Sequence, residues 1–151
     1  MYQKRRIGIA ALLALGLMVA GCADGIDWSD REIRNGENIL ASLASVSEAA
    51  RVANAADSEA RFEQRRDELL GHLRRAHLLA SNVDTIVLEK LHPRMYSKFR
   101  LTYQRALAKM ISAYEKGNMD AAERAAADIQ DFMNWFRQNR HTFRWWDESL
   151  E

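Results

Sequence analysis

The sequence predicts an all-α fold, an antiparallel bundle of four to five helices that follows a cleaved signal peptide. Apolar residues recur at spacings of three and four along most of the chain, as they do on the buried stripe of a helix. No window shows the sustained apolar–polar alternation of a half-buried strand, and β-branched residues are sparse. Capping residues divide the periodic stretches, and the short connections they mark are typical of an up-and-down bundle.

The first 21 residues have the composition of a secretory signal. Lys4, Arg5 and Arg6 precede an uncharged, largely apolar run over residues 7–21, which matches the basic and apolar regions of a signal peptide. The run is short for a membrane span, because a spanning helix needs roughly 20 apolar residues. We therefore expect residues 1–21 to be removed from the mature protein.

The end of this signal resembles the lipobox of bacterial lipoproteins. It reads Val19-Ala20-Gly21-Cys22, an aliphatic residue and two small residues before the one Cys of the chain. The resemblance implies that the Cys22 thiol receives a diacylglyceryl group, that a peptidase cleaves just before Cys22, and that the new amino terminus is acylated. Two or more acyl chains anchor a protein stably to a membrane. The alternatives are an uncleaved N-terminal anchor, or an ordinary signal followed by Cys22 by chance.

The residue after Cys22 bears on the destination of the protein. In Gram-negative lipoproteins an Asp at this position tends to retain the protein in the inner membrane, whereas here the position holds Ala23 and the Asp comes one residue later. The resemblance therefore implies the inner leaflet of the outer membrane, with the domain facing the periplasm. A Gram-positive host is the alternative that the sequence leaves open.

The composition of the mature chain excludes several classes of protein. Loss of residues 1–21 removes three of the 22 Lys and Arg and none of the 21 acidic residues, so the formal net charge falls from +1 to −2. We expect no nucleic-acid partner, because such proteins are usually strongly basic. One Cys allows neither a disulfide scaffold nor a thiolate zinc site. We assign residues 22–28 to a lipidated tether and residues 29–151 to the bundle domain.

The first two helices are predicted from their caps and their apolar stripes. The first begins with the capping-box pattern of Ser29 and Glu32 and runs to about Asn54. The second begins at residue 57 or 58, and it either continues to about residue 91 or breaks at residues 81–84, which offer a new N-cap. Pro93 ends it in either case. The expected inward stripe of the first helix consists of Ile33, Gly36, Leu40, Leu43 and Ala50, with Ile39, Val46 and Ala53 beside it.

The last two helices are predicted on either side of a glycine turn. The third covers residues 94–115, Gly117 stands in the usual C-terminal position, and the fourth begins at Asn118 or Asp120. The expected inward residues of the third are Met95, Phe99, Tyr103, Ala106, Met110 and Tyr114. Those of the fourth are Ala122, Ala126, Ile129, Met133 and Phe136.

A basic stripe follows the third helix. At about 100° per residue, its cations fall within roughly 60° of one another. They are Arg94, Lys98, Arg105, Lys109 and Lys116. Such a stripe can contact anionic lipid headgroups, an anionic glycan or an acidic partner. The alternative is a solvated face, paired with acidic residues of the next helix such as Asp120, Glu123, Asp128 and Asp131.

The C-terminal region concentrates aromatic residues beside arginines. Six of the 13 aromatic residues lie between positions 132 and 146. The candidate partner-binding residues here are Trp135, Arg140, Arg144, Trp145 and Trp146. Aromatic side chains beside Arg have the composition of an interface hot spot. The alternative is a tail that folds back and caps the bundle, with guanidinium groups over the rings.

Residues for catalysis or metal binding do not form a recognisable set. Glu89 and His92 have the spacing of one di-iron ligand pair, but such bundles need two such pairs and two further carboxylates. Neither a nucleophile turn nor a glycine-rich phosphate loop is present. We expect no enzymatic activity, no metal and no cofactor.

These observations lead to one functional expectation with two alternatives. The chain is expected to be a lipid-anchored envelope protein, bound to the membrane through Cys22. Its helical domain would bind a protein partner of the cell envelope, or scaffold a membrane-associated assembly. The alternatives are a small ligand- or metal-carrying bundle, and an immunity or inhibitor lipoprotein.

Overall fold

The computed structural model describes residues 28–143, which lie almost entirely in helices and contain no strand. The predicted all-α helical bundle is therefore confirmed. The signal peptide and residues 22–27 of the predicted tether lie outside the described residues, as do residues 144–151.

The chain forms six α-helices with one π-helical and one 3-10 turn within these residues. They are α1 (Trp28–Asn54), α2 (Glu59–Ser81), α3 (Thr85–Leu91), α4 (Pro93–Lys98), the π turn (Phe99–Gln104), α5 (Arg105–Glu115), α6 (Met119–Asn139) and the 3-10 turn (Arg140–Thr142). Helix α1 packs chiefly on α2, and α5 packs chiefly on α6. Contacts between α2 and α5 join the two hairpins into a bundle.

Capping side chains set the starts of α2 and α6 where the sequence predicts them, whereas α1 already includes Trp28, ahead of the predicted Ser29 cap. Ser58 accepts a hydrogen bond from the Arg61 amide at the start of α2, and Asn118 accepts one from the Ala121 amide at the start of α6. Gly117 has φ +67°, the left-handed conformation that suits Gly at a helix end. The break that the sequence left open after residue 81 is present.

Asp84 lies at the centre of that break. Its carboxylate accepts hydrogen bonds from the amides of Ile86 and Val87 and so caps α3. The Asn35 amide group holds the backbone of Asp84, donating to its carbonyl oxygen at 2.9 Å and accepting from its N–H at 2.7 Å. Arg31 forms a 3.2 Å ion pair with the same carboxylate. Helix α1 thus fixes the connection between α2 and α3.

The predicted inward face of α1 is partly wrong. Ile33 is 46% exposed and Ala50 is also exposed, whereas Asn35 and Ser42 are buried. The Ser42 hydroxyl donates to the Ala76 carbonyl oxygen at 2.7 Å, and the Tyr103 hydroxyl lies 2.8 Å from it. Because the Ser42 hydroxyl donates its one proton to the Ala76 carbonyl oxygen, the Tyr103 hydroxyl is the donor of the second hydrogen bond. The helix therefore turns these polar side chains inward because their partners lie on α2, at the α2–α3 break and at the π turn.

The third predicted helix contains a π turn that the sequence did not predict. Helix α4 precedes the π turn and α5 follows it, with no intervening residues, over the predicted range. Phe99 and Tyr103 are fully buried on the π turn, and burial raises the pKa of the Tyr103 hydroxyl. Gln104 donates to the Ala80 carbonyl oxygen of α2 at 2.8 Å. The π turn thus directs Tyr103 and Gln104 toward hydrogen-bond partners on α1 and α2, the hydroxyl of Ser42 and the carbonyl oxygen of Ala80.

The core is aromatic near the middle of the bundle. Phe132 of α6 is fully buried and stacks on Tyr103 with 4.7 Å between ring centroids. The buried residues of α6 are Ala122, Ala125, Ile129, Phe132 and Phe136. The predicted inward positions Ala126 and Met133 are only half-buried, since they face a groove described below.

Within residues 28–143, no helix combines the length and the apolar character needed to cross a membrane.

Candidate functional site

The aromatic residues at the end of α6 pack on one another. The 3-10 turn returns the chain so that Phe143 is buried and stacks on Phe136 at 5.8 Å between centroids. Trp135 is half-buried, and its ring lies 6.5 Å from that of Phe143. Up to Phe143, therefore, the C-terminal aromatic residues cap the bundle, as one of the two interpretations expects.

The other candidate residues of this region divide between the described chain and its end. Arg140 is half-buried in the 3-10 turn. Arg144, Trp145 and Trp146 lie outside the described residues.

His92 joins three parts of the chain at this end. Its Nε2 atom lies 2.7 Å from an oxygen of the buried Glu32 carboxylate. Its ring meets Phe143 edge to face at 5.1 Å. The start of α1, the α3–α4 junction and residue 143 therefore meet at one end of the bundle, which we call the proximal end.

The residue pair with metal-ligand spacing is not brought together. Glu89 is exposed, whereas His92 turns toward Glu32. Among residues 28–143, no three His, Cys, Asp or Glu side chains form a cluster that could hold a metal ion.

The basic stripe is exposed along its full length. Arg94, Lys98, Arg105 and Lys109 all have exposed side chains, and none forms an ion pair with a residue that the structure describes. The pairing with acidic residues of α6 that the alternative interpretation required is not seen among those residues. The π turn lies between Lys98 and Arg105, so the angular spacing of an ideal helix does not hold across it.

Cations also line a shallow depression between α5 and α6. Arg105, Lys109, Lys116 and Arg124 surround a floor of Ala and Ser side chains, and Asp128 is the one acidic lining residue. Arginines of α1 and α2, by contrast, form five ion pairs within those helices or their connections. None of the four cations around the depression forms an ion pair with a described carboxylate.

An apolar groove that the sequence did not predict lies between α1 and α6. The two helices are not closely packed against one another, and the groove between them encloses about 770 Å³. Its walls include Val46, Ala49, Ala53, Met110, Tyr114, Ala126, Ile129 and Met133. The groove is present because small side chains on both helices leave the space between them unfilled. The sequence signal that could have indicated it is the group of alanines within positions 49–56.

Five polar side chains line this groove, and Tyr114 is the one that is buried; Ser47, Arg51, Asn54 and Gln130 are exposed. Tyr114 lines it and is almost fully buried. Burial, with a smaller effect from the Glu123 carboxylate, raises the pKa of its hydroxyl. The groove therefore presents a largely apolar surface with one buried hydroxyl group, and its exposed polar residues include one cation, Arg51.

The chain matches no protein-family model, no curated protein and no solved structure. Its function is therefore inferred from the residues themselves and their geometry.

Proposed function

We propose that the chain is a membrane-anchored lipoprotein whose helical domain binds or scaffolds a membrane-associated assembly of the cell envelope. The observation that carries the proposal is Val19-Ala20-Gly21-Cys22 at the end of a basic and then apolar segment. Lipidation would place two or more acyl chains on Cys22, which becomes the amino-terminal residue, and this suffices for stable anchoring. Ala23 in place of Asp supports the inner leaflet of the outer membrane as the destination.

Two surfaces support a binding role for the domain. The first is the basic stripe, whose exposed cations can attract an acidic partner. The second comprises Trp135 and Arg140 together with Arg144, Trp145 and Trp146, which have the residue types of interface hot spots. Because lipidation restricts the domain to one membrane surface, both surfaces would meet a partner held on the same membrane at high effective concentration.

The anchor is tested by replacing its one reactive atom. In cells fed a labelled fatty acid, Cys22→Ser should abolish labelling, because no other thiol exists in the chain. Crosslinking in the same cells should capture a protein partner with the original chain and lose it with the variant. Membrane fractionation of the labelled chain should place it with the outer membrane.

Val19→Leu is the matched control, because it alters the same segment but keeps an aliphatic residue there. Its labelling and its partner should equal those of the original chain. Unchanged labelling of Cys22→Ser would show that the lipoprotein proposal is wrong.

The apolar groove favours a second candidate function, carriage of a small apolar ligand. A volume of about 770 Å³ falls within the range of about 300–1,000 Å³ that small-molecule sites occupy. Met110 and Met133 offer flexible, polarisable walls that adapt to a ligand's shape. The Tyr114 hydroxyl would supply one hydrogen bond.

Filling the groove tests this candidate. Ala126→Phe places a ring in the groove and should weaken the binding of a fluorescent apolar dye by at least tenfold. Ala44→Phe adds the same ring at an exposed position of α1 that does not line the groove, and it should leave binding unchanged. Equal dye binding by both variants would rule out the groove as the ligand site.

A further inference from the structure

Exposed apolar side chains concentrate on one part of the bundle. Of the six large hydrophobic residues that are exposed among residues 28–143, three lie between positions 86 and 101. They are Ile86, Leu91 and Leu101, with exposed fractions of 71%, 41% and 56%. This part of the bundle therefore presents apolar surface that no described element covers.

Positive charge concentrates on the same part. From residue 85 to residue 105 the chain carries five Lys and Arg and one acidic residue, Glu89. None of the five cations forms an ion pair with a described carboxylate. Lys90 lies over the ring of Trp28, 4.8 Å from its centroid. Exposed aliphatic residues among cations, with a Trp beside them, are typical of protein surfaces that enter the membrane interface.

The position of this surface relative to Cys22 supplies the third observation. Five residues separate Cys22 from Trp28. Even fully extended, this length of chain reaches only about 20 Å. Because Trp28 contacts Lys90, and Glu32 contacts His92, the surface begins at the proximal end, where α1 leaves that short connection.

We propose that this surface docks the bundle onto the anionic phospholipid headgroups of the membrane that holds the anchor. The docking face would be formed by exposed residues of α3, of α4 and of the start of the π turn: Ile86, Lys90, Leu91, Arg94, Lys98 and Leu101. Its cations would contact phosphate groups while its aliphatic side chains enter the interface. The inference rests on the proposed lipidation of Cys22, since the anchor turns a weak surface contact into an intramolecular one.

The docking face is tested by a single thiol on the purified lipidated chain. Lipidation occupies the thiol of Cys22, so a Cys introduced at position 86 is the one reactive thiol. On vesicles of equal parts phosphatidylcholine and phosphatidylglycerol, Ile86→Cys should react with a water-soluble maleimide at least fivefold more slowly than on phosphatidylcholine alone. High salt, or the added substitutions Lys90→Glu and Arg94→Glu, should restore the faster rate.

Met119→Cys is the matched control. Residue 119 is also exposed, but it lies beside residues 56–58, where α1 ends and α2 begins. Helix α1 separates that end from the proximal end by about 40 Å. Its thiol should react at the same rate on both kinds of vesicle.

The outcomes separate the two proposals. If the chain floats with the vesicles and Ile86→Cys reacts as fast as Met119→Cys on the anionic ones, the docking face is wrong and the lipoprotein proposal stands. If Ile86→Cys is protected in cells but not on vesicles, a protein covers the surface and the docking proposal is again overturned. If the chain fails to float and the Cys22 thiol itself reacts, the anchor is wrong, and the docking face falls with it.

Discussion

Phe132→Ala should lower the free energy of unfolding by about 3–5 kcal/mol, the range for truncation of a fully buried Phe. Phe132 has no exposed surface, and its ring lies within 6.3 Å of the rings of Phe99, Tyr103, Phe136 and Trp135. The cost combines the lost transfer free energy with the cavity that remains. Helices α4–α5 and α6 meet through this ring, so the cavity cannot close without moving one of them.

Urea unfolding followed by circular dichroism measures the change. Leu78→Ala serves as the control, because Leu78 is an exposed apolar residue whose truncation should cost less than about 0.5 kcal/mol. A loss below about 1 kcal/mol for Phe132→Ala would contradict the central place of this ring in the core.

Asn35→Ala should cost about 2–4 kcal/mol, because it leaves two backbone groups of Asp84 without their partners. Asn35 is buried, so water cannot readily replace its amide group. The substitution would loosen the α2–α3 break, where Asp84 also caps α3. We therefore expect faster hydrogen exchange of the α3 amides in addition to the lower stability.

Asn38→Ala removes the same side chain one turn further along α1. Asn38 makes one long, exposed hydrogen bond of 3.5 Å to the carbonyl oxygen of Asn82, so its removal should cost less than about 0.5 kcal/mol. Equal losses from the two variants would show that the Asp84 contacts do not stabilise the break.

Local signals in the sequence predicted the fold class and most helix boundaries. These signals act over a short range. The side chains of Ser58, Asp84 and Asn118 each accept a hydrogen bond from a backbone amide two or three residues further on. Gly117 ends a helix through its own left-handed backbone conformation. Such signals can be interpreted without knowledge of the tertiary structure. The boundaries they mark agree with those of the structure.

Features that depend on distant partners were not predictable in the same way. Periodicity placed Ile33 inward, but the partners of Asn35 and Ser42 lie 49 and 34 residues away and turn a different face of α1 to the core. The π turn has no local capping signal. The apolar groove depends on how far α1 stands from α6, which no single helix specifies.

The candidate site residues were predicted only in part. The spacing of Lys and Arg residues along the third predicted helix identified the basic stripe, because charged side chains on a helix are expected to face solvent. Composition could not decide between capping and exposure for the aromatic region, because that choice depends on the path of the chain at the 3-10 turn. The structure shows that Phe143 folds back beside Trp135.

The polar contacts of α1 also determine its axial alignment. Large apolar side chains are few on the buried face of α1, which includes Ile39, Val46 and Val52, so polar contacts carry part of its alignment with its neighbours. Three hydrogen bonds fix α1 at points spread over about 15 Å of its axis. They join Glu32 to His92, Asn35 to Asp84 and Ser42 to Ala76. A one-turn slip would unpair all three at once, in the way that one buried Asn selects the register of a coiled coil. The buried polar residues thus add a directional preference for one register to the apolar contacts of the helix.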